Sequence, residues 1–285
     1  MKTALFAALS TVAASCAAPA LAADVEIKDA VARVVVIVED RSDIGVEITP
    51  GRADLPAPQV RRRGGDVRID GGLRNAFRNC SSGPSSARQP GEGATVEVRR
   101  IGRVRLEDAP LIVLRTPRSV DVGASGAVFG SVGRGASDID LGNGGCGDWV
   151  VANTGGKMSL ALGGSGTIRA GTSSALEAAV GGSGSIMAGA TRRLEASVGG
   201  SGSITVARVD GPGEAAIGGS GDITIRAGDM PRLEVAVGGS GNVRYGGRTA
   251  DLEVAIAGSG DVSVAEASGP VSRSVVGSGT VSIGR

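Results

Sequence analysis

Hydrophobic residues alternate with polar or small residues on both sides of a glycine-rich corner in much of this chain. In the segment 233–243 the order is Leu-Glu-Val-Ala-Val, then Gly-Gly-Ser-Gly, then Asn-Val. Alternation of period two is typical of a β-strand that buries one face, whereas an amphipathic helix needs apolar residues three and four apart. Each glycine in a helix interior would also cost about 1 kcal/mol. The pattern therefore predicts two short strands joined at a corner.

The same unit recurs from residue 120 onward. Its central serine, here called the marker, is followed by Gly in every unit and by Ile, Val or Trp three positions later. The markers are Ser125, Ser165, Ser183, Ser201, Ser220, Ser240, Ser259 and Ser278, with Cys146 in that place once, and they lie 18–21 residues apart. Such units cannot bury their own apolar faces, so we expect a single-stranded parallel β-solenoid, or β-helix. Nine coils about 4.8 Å apart would form an all-β rod of roughly 43 Å.

The composition fits a narrow rod and excludes several classes of function. Gly contributes 49 residues, there is no His, and after residue 22 the aromatic residues are Phe77, Phe129, Trp149 and Tyr245. We expect small inward side chains because a narrow interior leaves no room for rings, and corner glycines that allow positive φ and close approach of coils. The absence of His excludes Ser-His-Asp catalysis and His-bound metals. A net charge of +1 and few aromatic residues argue against nucleic-acid binding.

The first third of the chain lacks the repeat, so we divide the chain into three parts. Residues 1–22 are a predicted signal peptide, residues 23–115 an irregular N-terminal β region, and residues 116–285 the repeat solenoid. Strands are predicted at 31–38, 44–48, 67–69, 95–98 and 111–114, and a loop at 79–92. An uncovered solenoid edge would invite end-to-end association. We expect the strands of residues 23–115 to form the first coils and to cover that edge.

The first residues predict export from the cytoplasm. Lys2 precedes an apolar run, and Ala20-Leu21-Ala22 has the small-x-small pattern of a cleavage site. A lipid-modified Cys16 is the alternative interpretation. No later apolar run is long enough to span a bilayer, so we expect no transmembrane segment after cleavage. The predicted location is the periplasm, the cell surface or the extracellular medium.

Two cysteines, Cys80 and Cys146, remain after residue 22. In an oxidising compartment two thiols most often pair, and a disulfide closing a loop of this length would contribute about 4 kcal/mol in the chain-entropy model. A free reactive thiol is the alternative. We predict a structural disulfide.

A glutamate lies six residues before the marker in five successive units: Glu177, Glu195, Glu214, Glu234 and Glu253. With the coils in register these carboxylates would stack about 4.8 Å apart and repel one another. Arg193 and Arg232, two residues earlier in their units, could partly neutralise them. Small residues from Ala161 to Ala255 lie two positions later on the same face. The column is either a solvated face that discourages aggregation or a docking surface for a basic partner, divalent cations or another copy.

Arginines are concentrated at two places, Arg61 to Arg63 and the group Arg99, Arg100, Arg103 and Arg105. Without interleaved aromatic residues these clusters are typical of a solvated edge. Contact with anionic lipid or glycan headgroups is the alternative.

The corner sequence follows a leader, IKDAVARV at 27–34, and the two together resemble the auto-transporter adhesin head family, called the GIN domain. The resemblance covers roughly residues 24–285. It implies an exported bacterial envelope protein with a β-helical body and no established enzymatic activity. It implies no catalytic residue, metal or cofactor.

We therefore expect a non-enzymatic cell-envelope protein, an adhesin-head-like or scaffold solenoid that presents its columns to an envelope or surface partner, protein or glycan. The oligomeric state is left open. The alternative is a β-helix polysaccharide-degrading enzyme, which needs clustered carboxylates with Arg or Lys in a groove. The marker serines do not fit Gly-x-Ser-x-Gly, because the residue two positions after each is never Gly.

Overall fold

The structure is a computed structural model that describes residues 24–74, 76–84 and 88–284. The predicted signal peptide, residues 1–22, and Cys16 lie outside the described residues. The N-terminal part contains one 3-10 turn, Leu106–Asp108, and eight strands: β1 (Asp24–Val38), β2 (Gly45–Thr49), β3 (Gln59–Arg63), β4 (Asp66–Asp70), β5 (Phe77–Ser81), β6 (Thr95–Val98), β7 (Gly102–Arg105) and β8 (Leu111–Thr116).

The repeat part consists of short strands only. In chain order they are β9 (Ser119–Val132), β10 (Asp138–Asn143), β11 (Trp149–Val151), β12 (Lys157–Leu162), β13 (Thr167–Ala170), β14 (Ala175–Val180), β15 (Ser185–Thr191), β16 (Leu194–Val198), β17 (Ser203–Val209), β18 (Gly213–Ile217), β19 (Asp222–Ile225), β20 (Asp229–Met230), β21 (Leu233–Val237), β22 (Asn242–Thr249), β23 (Leu252–Gly258), β24 (Val262–Ala267), β25 (Val271–Gly277) and β26 (Val281–Ile283).

These strands wind into a parallel β-solenoid of about nine turns, as the sequence predicts. Strands that precede the corner pair in parallel with their equivalents in the next coil, as β14 does with β16 and β16 with β18. Strands that follow the corner form a second parallel sheet, in which β15 pairs with β17 and β17 with β19. Equivalent side chains of successive coils are therefore direct neighbours along the rod.

The register corrects the predicted phase of the first repeat unit. Trp149 pairs with Gly130, and the backbone N–H of Cys146 donates to the carbonyl of Gly126. In later coils the marker N–H donates to the residue just before the preceding marker, as Ser183 does to Gly164. Ala127, not Ser125, therefore occupies the marker position in the first unit. The hydroxyl of Ser125 instead accepts the backbone N–H of Asp29.

The rod interior admits rings, contrary to the expectation from its narrowness. Trp149 and Tyr245 lie in the same buried cluster as the inward Val, Ile and Leu side chains. Glycines make the room: a Cβ on Gly130 would collide with the Trp149 ring, and one on Gly247 would lie 2.6 Å from the Tyr245 hydroxyl. The Tyr245 hydroxyl donates to the carbonyl of Arg248 at 2.8 Å, and burial raises the pKa of Tyr245 to about 12.

Close approach of the backbone explains most of the corner glycines. A Cβ on Gly202 would collide with the carbonyl oxygen of Gly184 in the preceding coil. Positive φ, which the sequence also suggested, occurs among the described corners only at Gly126 and Gly277, which directly precede the marker position, and at no glycine that follows it. Glycine at this position is therefore required mainly because the coils lie so close together.

The N-terminal strands stack onto the repeat rod next to β9, but not in chain order. β1 pairs in parallel with β9 on one side and with β4 and β8 on the other. Two outermost strands are antiparallel: β3 pairs with β4, and β2 pairs with β8. β3, which carries Arg61 to Arg63, is exposed throughout. From Asp24 the described chain thus first runs next to the repeat rod and then turns outward, where β2 and β3 run in the opposite direction.

A separate antiparallel sheet of β5, β6 and β7 packs beside the rod. Its buried Val96, Val98 and Val104 contact a cluster that includes Ala127 and Phe129 of the rod. The prediction of a loop over 79–92 is wrong at its start, because residues 79–81 belong to β5. The sequence shows no regular alternation of apolar and polar residues there, because the register of β5 with β6 shifts between Arg78 and Cys80.

Candidate functional site

The five predicted glutamates stack directly upon one another. Adjacent pairs along the rod are Glu177 with Glu195, Glu195 with Glu214, Glu214 with Glu234, and Glu234 with Glu253. Each lies between inward residues: in β16, Leu194 and Ala196 are buried and Glu195 is exposed. The alternation of each strand thus presents the carboxylates in one line. Their role in binding stays a prediction.

The line of carboxylates continues to the N-terminal end of the rod. Glu177 pairs with Ser159, Ser159 with Asp140, Asp140 with Asp121, and Asp121 with Asp24. In the next layer the carboxylate of Asp66 accepts the backbone N–H of Asp24 at 3.3 Å. We call this set the acidic column; its members are Asp66, Asp24, Asp121, Asp140, Glu177, Glu195, Glu214, Glu234 and Glu253. Ten successive layers therefore carry nine carboxylates, with Ser159 as the one interruption.

Sequence reasoning missed four members of the acidic column. Asp140 lies six residues before Cys146, exactly in the glutamate position, and could have been found there. Asp121 lies six residues before Ala127 but four before Ser125, so the wrong phase concealed it. Asp24 and Asp66 belong to the part without repeats, where no spacing connects them to the column.

Basic side chains neutralise the acidic column at two places. Nζ of Lys157 lies 2.6 Å from a carboxylate oxygen of Glu177. The Arg232 guanidinium contacts Glu234 and lies 3.0 Å from Glu253 and 3.4 Å from Asp251. These exposed pairs contribute little to stability.

The middle of the acidic column lacks such counter-charges. Among the residues that the structure describes, no basic side chain comes within 4.0 Å of the Glu195 or Glu214 carboxylate. Arg193, which the sequence offered as a neutralising group, forms no ion pair within this part of the chain. Glu195 and Glu214 are therefore two adjacent exposed carboxylates with their charge open to solvent.

Three members of the acidic column, Asp24, Asp121 and Asp140, have a raised pKa. Burial, together with the nearby carboxylates of Asp24, Asp140 and Asp66, raises the pKa of Asp121 to about 6. Burial also raises the pKa of Asp24 and of Asp140, with nearby carboxylates adding to the effect. Removing these groups from water and placing them beside like charges both disfavour the charged form.

A stripe of small side chains runs beside the acidic column, two residues further along each strand. Gly142 pairs with Gly123, Ala161 with Gly142, and Ala179 with Ala161. We call the set the small-residue stripe; its members are Gly123, Gly142, Ala161, Ala179, Ser197, Ala216, Ala236 and Ala255. Without long side chains on this stripe, a partner could approach the strands closely.

The polar residues two positions after the marker form a ladder of a structural kind. The Asp148 carboxylate accepts the backbone N–H of Thr167 at 2.8 Å, and the Asp222 carboxylate accepts the side-chain amide of Asn242 at 2.8 Å. In the last coils the Asp261 carboxylate accepts the Thr280 hydroxyl at 2.6 Å. The corner aspartates thus bind neighbouring coils. No group of three or more His, Cys, Asp or Glu in residues 24–74, 76–84 and 88–284 is arranged to hold a metal ion.

The two cysteines meet where the side sheet touches the rod. Cys80 lies on β5 and Cys146 at a corner, with their Cα atoms 6.0 Å apart and their sulfur atoms within bonding distance. A covalent bond here would fasten the sheet of β5 to β7 to the second coil of the repeat. The structural role of the pair stays a prediction.

The side sheet carries a basic surface. On β6, Glu97 lies between Arg78 of β5 and Arg103 of β7, and Arg103 is 3.3 Å from Glu97. The turn between β6 and β7 contains Arg99, Arg100 and Ile101, all exposed, with Ile101 at 38%. Arg100 has a positive φ of 70°. We call Arg99, Arg100, Ile101 and Arg103 the basic hairpin.

Comparison with known proteins found weak similarity to solved structures. No protein-family model matches the chain, so the GIN-domain resemblance stays a prediction, and no curated protein matches it. A solved structure named "Putative lipid binding protein" from Parabacteroides distasonis is 17% identical, with 93% of this chain and 94% of that one covered and a TM-score of 0.49. A second, named "putative adhesin" from the same organism, is 16% identical, with coverages of 92% and 93% and a TM-score of 0.47.

Over the described ranges, no helix combines the length and the apolar character that crossing a bilayer requires.

Proposed function

We propose that this protein is a non-enzymatic, exported binding protein of the cell envelope whose acidic column docks a basic partner. The observation that carries the proposal is the length of the column, nine carboxylates in ten successive layers. Like charges on paired strands destabilise a sheet, so the column brings no stability of its own. A cationic partner lying along the rod would remove that repulsion.

The geometry supports docking of an elongated or flat partner. The carboxylates lie in one line along the rod, and the adjacent small-residue stripe leaves the strands accessible. A long row of mostly negative charge also attracts a basic partner from a distance, with a strong dependence on ionic strength. The competing explanation is a solvated face on which the carboxylates only prevent aggregation.

Binding of an oligo-arginine peptide tests the column. The variant Glu195→Gln/Glu214→Gln removes the two carboxylates that lack counter-charges, and we expect it to weaken binding by about three- to tenfold at low salt. The matched control is Glu47→Gln/Glu266→Gln, which removes the same charge at exposed positions outside the column. Binding is measured by fluorescence anisotropy. Equal binding by both variants would mean that the column is only a solvated face and does not dock a partner.

The proposed export rests on the first residues of the sequence. Cell fractionation followed by determination of the mature N-terminus tests it. We expect the protein in the envelope or the medium with a mature chain beginning after Ala22. A cytoplasmic protein that retains Lys2 would contradict export without affecting the binding proposal.

A polysaccharide-degrading enzyme is the second candidate, and one observation favours it. Asp121 has its pKa raised to about 6 and lies between Asp24 and Asp140 on adjacent strands. A carboxyl group with a raised pKa beside a second carboxyl group is the arrangement that glycoside hydrolases use. Release of reducing ends from acidic and neutral glycans, abolished in Asp121→Asn, would establish this candidate in place of the first.

A further inference from the structure

The basic hairpin is the most exposed basic feature of the side sheet. Arg99 and Arg100 adjoin one another in its turn, and in the described ranges neither lies within 4.0 Å of a carboxylate. Arg103 is also exposed although it contacts Glu97. Beside the arginines, Ile101 exposes 38% of its surface, which is unusual for a large apolar side chain in this chain. The hairpin therefore presents two unneutralised charges and one apolar contact.

The middle of the acidic column presents the complementary features. Glu195 and Glu214 are adjacent carboxylates without counter-charges, one strand spacing of about 4.8 Å apart. The small-residue stripe beside them offers Ser197 and Ala216, which pair with each other. A short apolar side chain could rest on this stripe while two guanidinium groups contact the two carboxylates.

Resting on the proposed function, we infer that the basic partner of the acidic column is a second copy of this chain, whose basic hairpin docks at Glu195 and Glu214. Arg99 and Arg100 contact the two carboxylates, and Ile101 packs against Ser197 and Ala216. The contact joins two different surfaces. Each copy therefore retains one free hairpin and one free column, and association continues into chains of molecules.

The charge distribution favours a second copy over an anionic membrane. The whole chain carries 30 basic and 29 acidic residues, so its net charge of +1 does not keep copies apart. The opposite charges are nevertheless collected on separate surfaces, which favours oriented association. A membrane would instead meet Glu97 in the middle of the basic face, between Arg78 and Arg103.

Two charge-reversed variants test the inference. Arg99→Glu/Arg100→Glu reverses the charge of the basic hairpin, and Glu195→Arg/Glu214→Arg reverses the charge in the middle of the acidic column. At about 10 mM ionic strength, where charges act over ~30 Å, we expect the wild type to self-associate. Each variant alone should be monomeric by analytical ultracentrifugation, with a dissociation constant raised at least about tenfold.

Mixing the two variants provides the decisive result. The first retains an intact column and the second an intact hairpin, and their two reversed surfaces carry opposite charges, so the mixture should associate in a one-to-one ratio and dissociate at about 1 M salt. Circular dichroism and thermal melting of each variant control for folding, since two misfolded variants could not restore a specific pair. A monomeric wild type, or a mixture that stays monomeric, would overturn the inference.

Two further measurements separate the inference from the proposed function. If the wild type binds oligo-arginine through the column but does not self-associate, the column docks a basic partner other than this chain. If the wild type binds anionic phosphatidylglycerol vesicles and Arg99→Glu/Arg100→Glu does not, while the mixture stays monomeric, the hairpin is a membrane contact. Either result contradicts self-association.

Discussion

Both the repeat rod and the N-terminal part stack parallel strands on one another, but the order of the strands in the chain differs between them. In the rod most strands pair with the strand two elements later, and β18 and β19 pair with β21 and β22 because β20 intervenes, so chain order and layer order agree. In the N-terminal part β1 lies between β9 and the layer formed by β4 and β8, although it precedes both of those strands in the chain. Strands that share a repeated environment show a repeat in their sequence, whereas strands at the end of the rod do not.

The difference has a physical reason. An inward residue of the rod meets the same backbone above and below in every coil, and so the same residue types recur. The end of the rod needs strands that leave no pairing edge exposed in the parallel direction. Antiparallel β2 and β3 meet this need with charged and polar residues, including Arg61 to Arg63.

Removal of the cysteine pair should separate the side sheet from the rod. We expect Cys80→Ser/Cys146→Ser to lower the stability of β5 to β7 by about 4 kcal/mol, as the chain-entropy model gives for a loop of this size. Hydrogen exchange should quicken in β5 to β7 and remain slow in β14 to β19. Unchanged exchange in the side sheet, or two free thiols in the native protein, would show that the pair is not a structural link.

A methyl group at a corner should be costly only where the coils touch. Gly202→Ala places a Cβ against the carbonyl of Gly184, and we expect a loss of about 1–3 kcal/mol in the free energy of unfolding. Gly199→Ala is the matched control, because its Cβ meets no atom within 4 Å and its φ is not positive. Denaturant unfolding that ranks the two variants equally would contradict the close stacking of corners.

Asp121 should make the N-terminal coils less stable at neutral pH. Its folded pKa of about 6 exceeds the ordinary 3.8, so the native state binds the proton more tightly and stability falls as pH rises from about 4 to 6. Asp121→Asn should therefore stabilise the protein by roughly 1 kcal/mol at pH 7, allowing for solvent screening, and by nothing near pH 3. Asp54→Asn, on an exposed loop, is the control. Melting curves that show the same gain for Asp121→Asn at both pH values would exclude proton linkage at this carboxyl.

The arginines beside the acidic column should differ by less than 1 kcal/mol in their effect. Arg232 bridges Glu234, Asp251 and Glu253, so Arg232→Gln should cost up to about 0.5–1 kcal/mol at low salt. Arg193→Gln should change stability by less than that, because Arg193 forms no ion pair in the described part of the chain. The difference should vanish at high salt, and its persistence there would mean that Arg232 acts through packing.

The sequence was sufficient for the rod and for half of the acidic column. The repeat period predicted where β12 to β26 lie and that Glu177 to Glu253 stack on one another. It could do so because successive coils repeat the same residue types at equivalent positions. It misplaced the first unit, since Ser125 resembles a marker while Ala127 occupies the position. That error concealed Asp121.

The features of the structure that the sequence did not predict depend on contacts between segments that are distant in the chain. The reversed directions of β2 and β3 and the position of Asp66 beside Asp24 depend on how the chain returns to the rod end. The burial of Trp149 and Tyr245 is also contrary to the expectation of an interior without aromatic rings. They fit because Gly130 and Gly247 lack side chains. Gly247 lies two residues from Tyr245 in the chain, whereas the contact of Gly130 with Trp149 follows only from the register between coils.

The alignment of the acidic column along the rod is tested most directly by electron spin resonance distances between labelled column positions. Labels at Asp121→Cys and Glu195→Cys, in a background where Cys80 and Cys146 are serine, should lie about 19 Å apart, four strand spacings. Labels at Asp121→Cys and Glu253→Cys should lie about 34 Å apart, seven spacings. Distances that grow with the number of layers support one continuous column. Two similar distances, or a shorter distance to residue 253 than to residue 195, would contradict it.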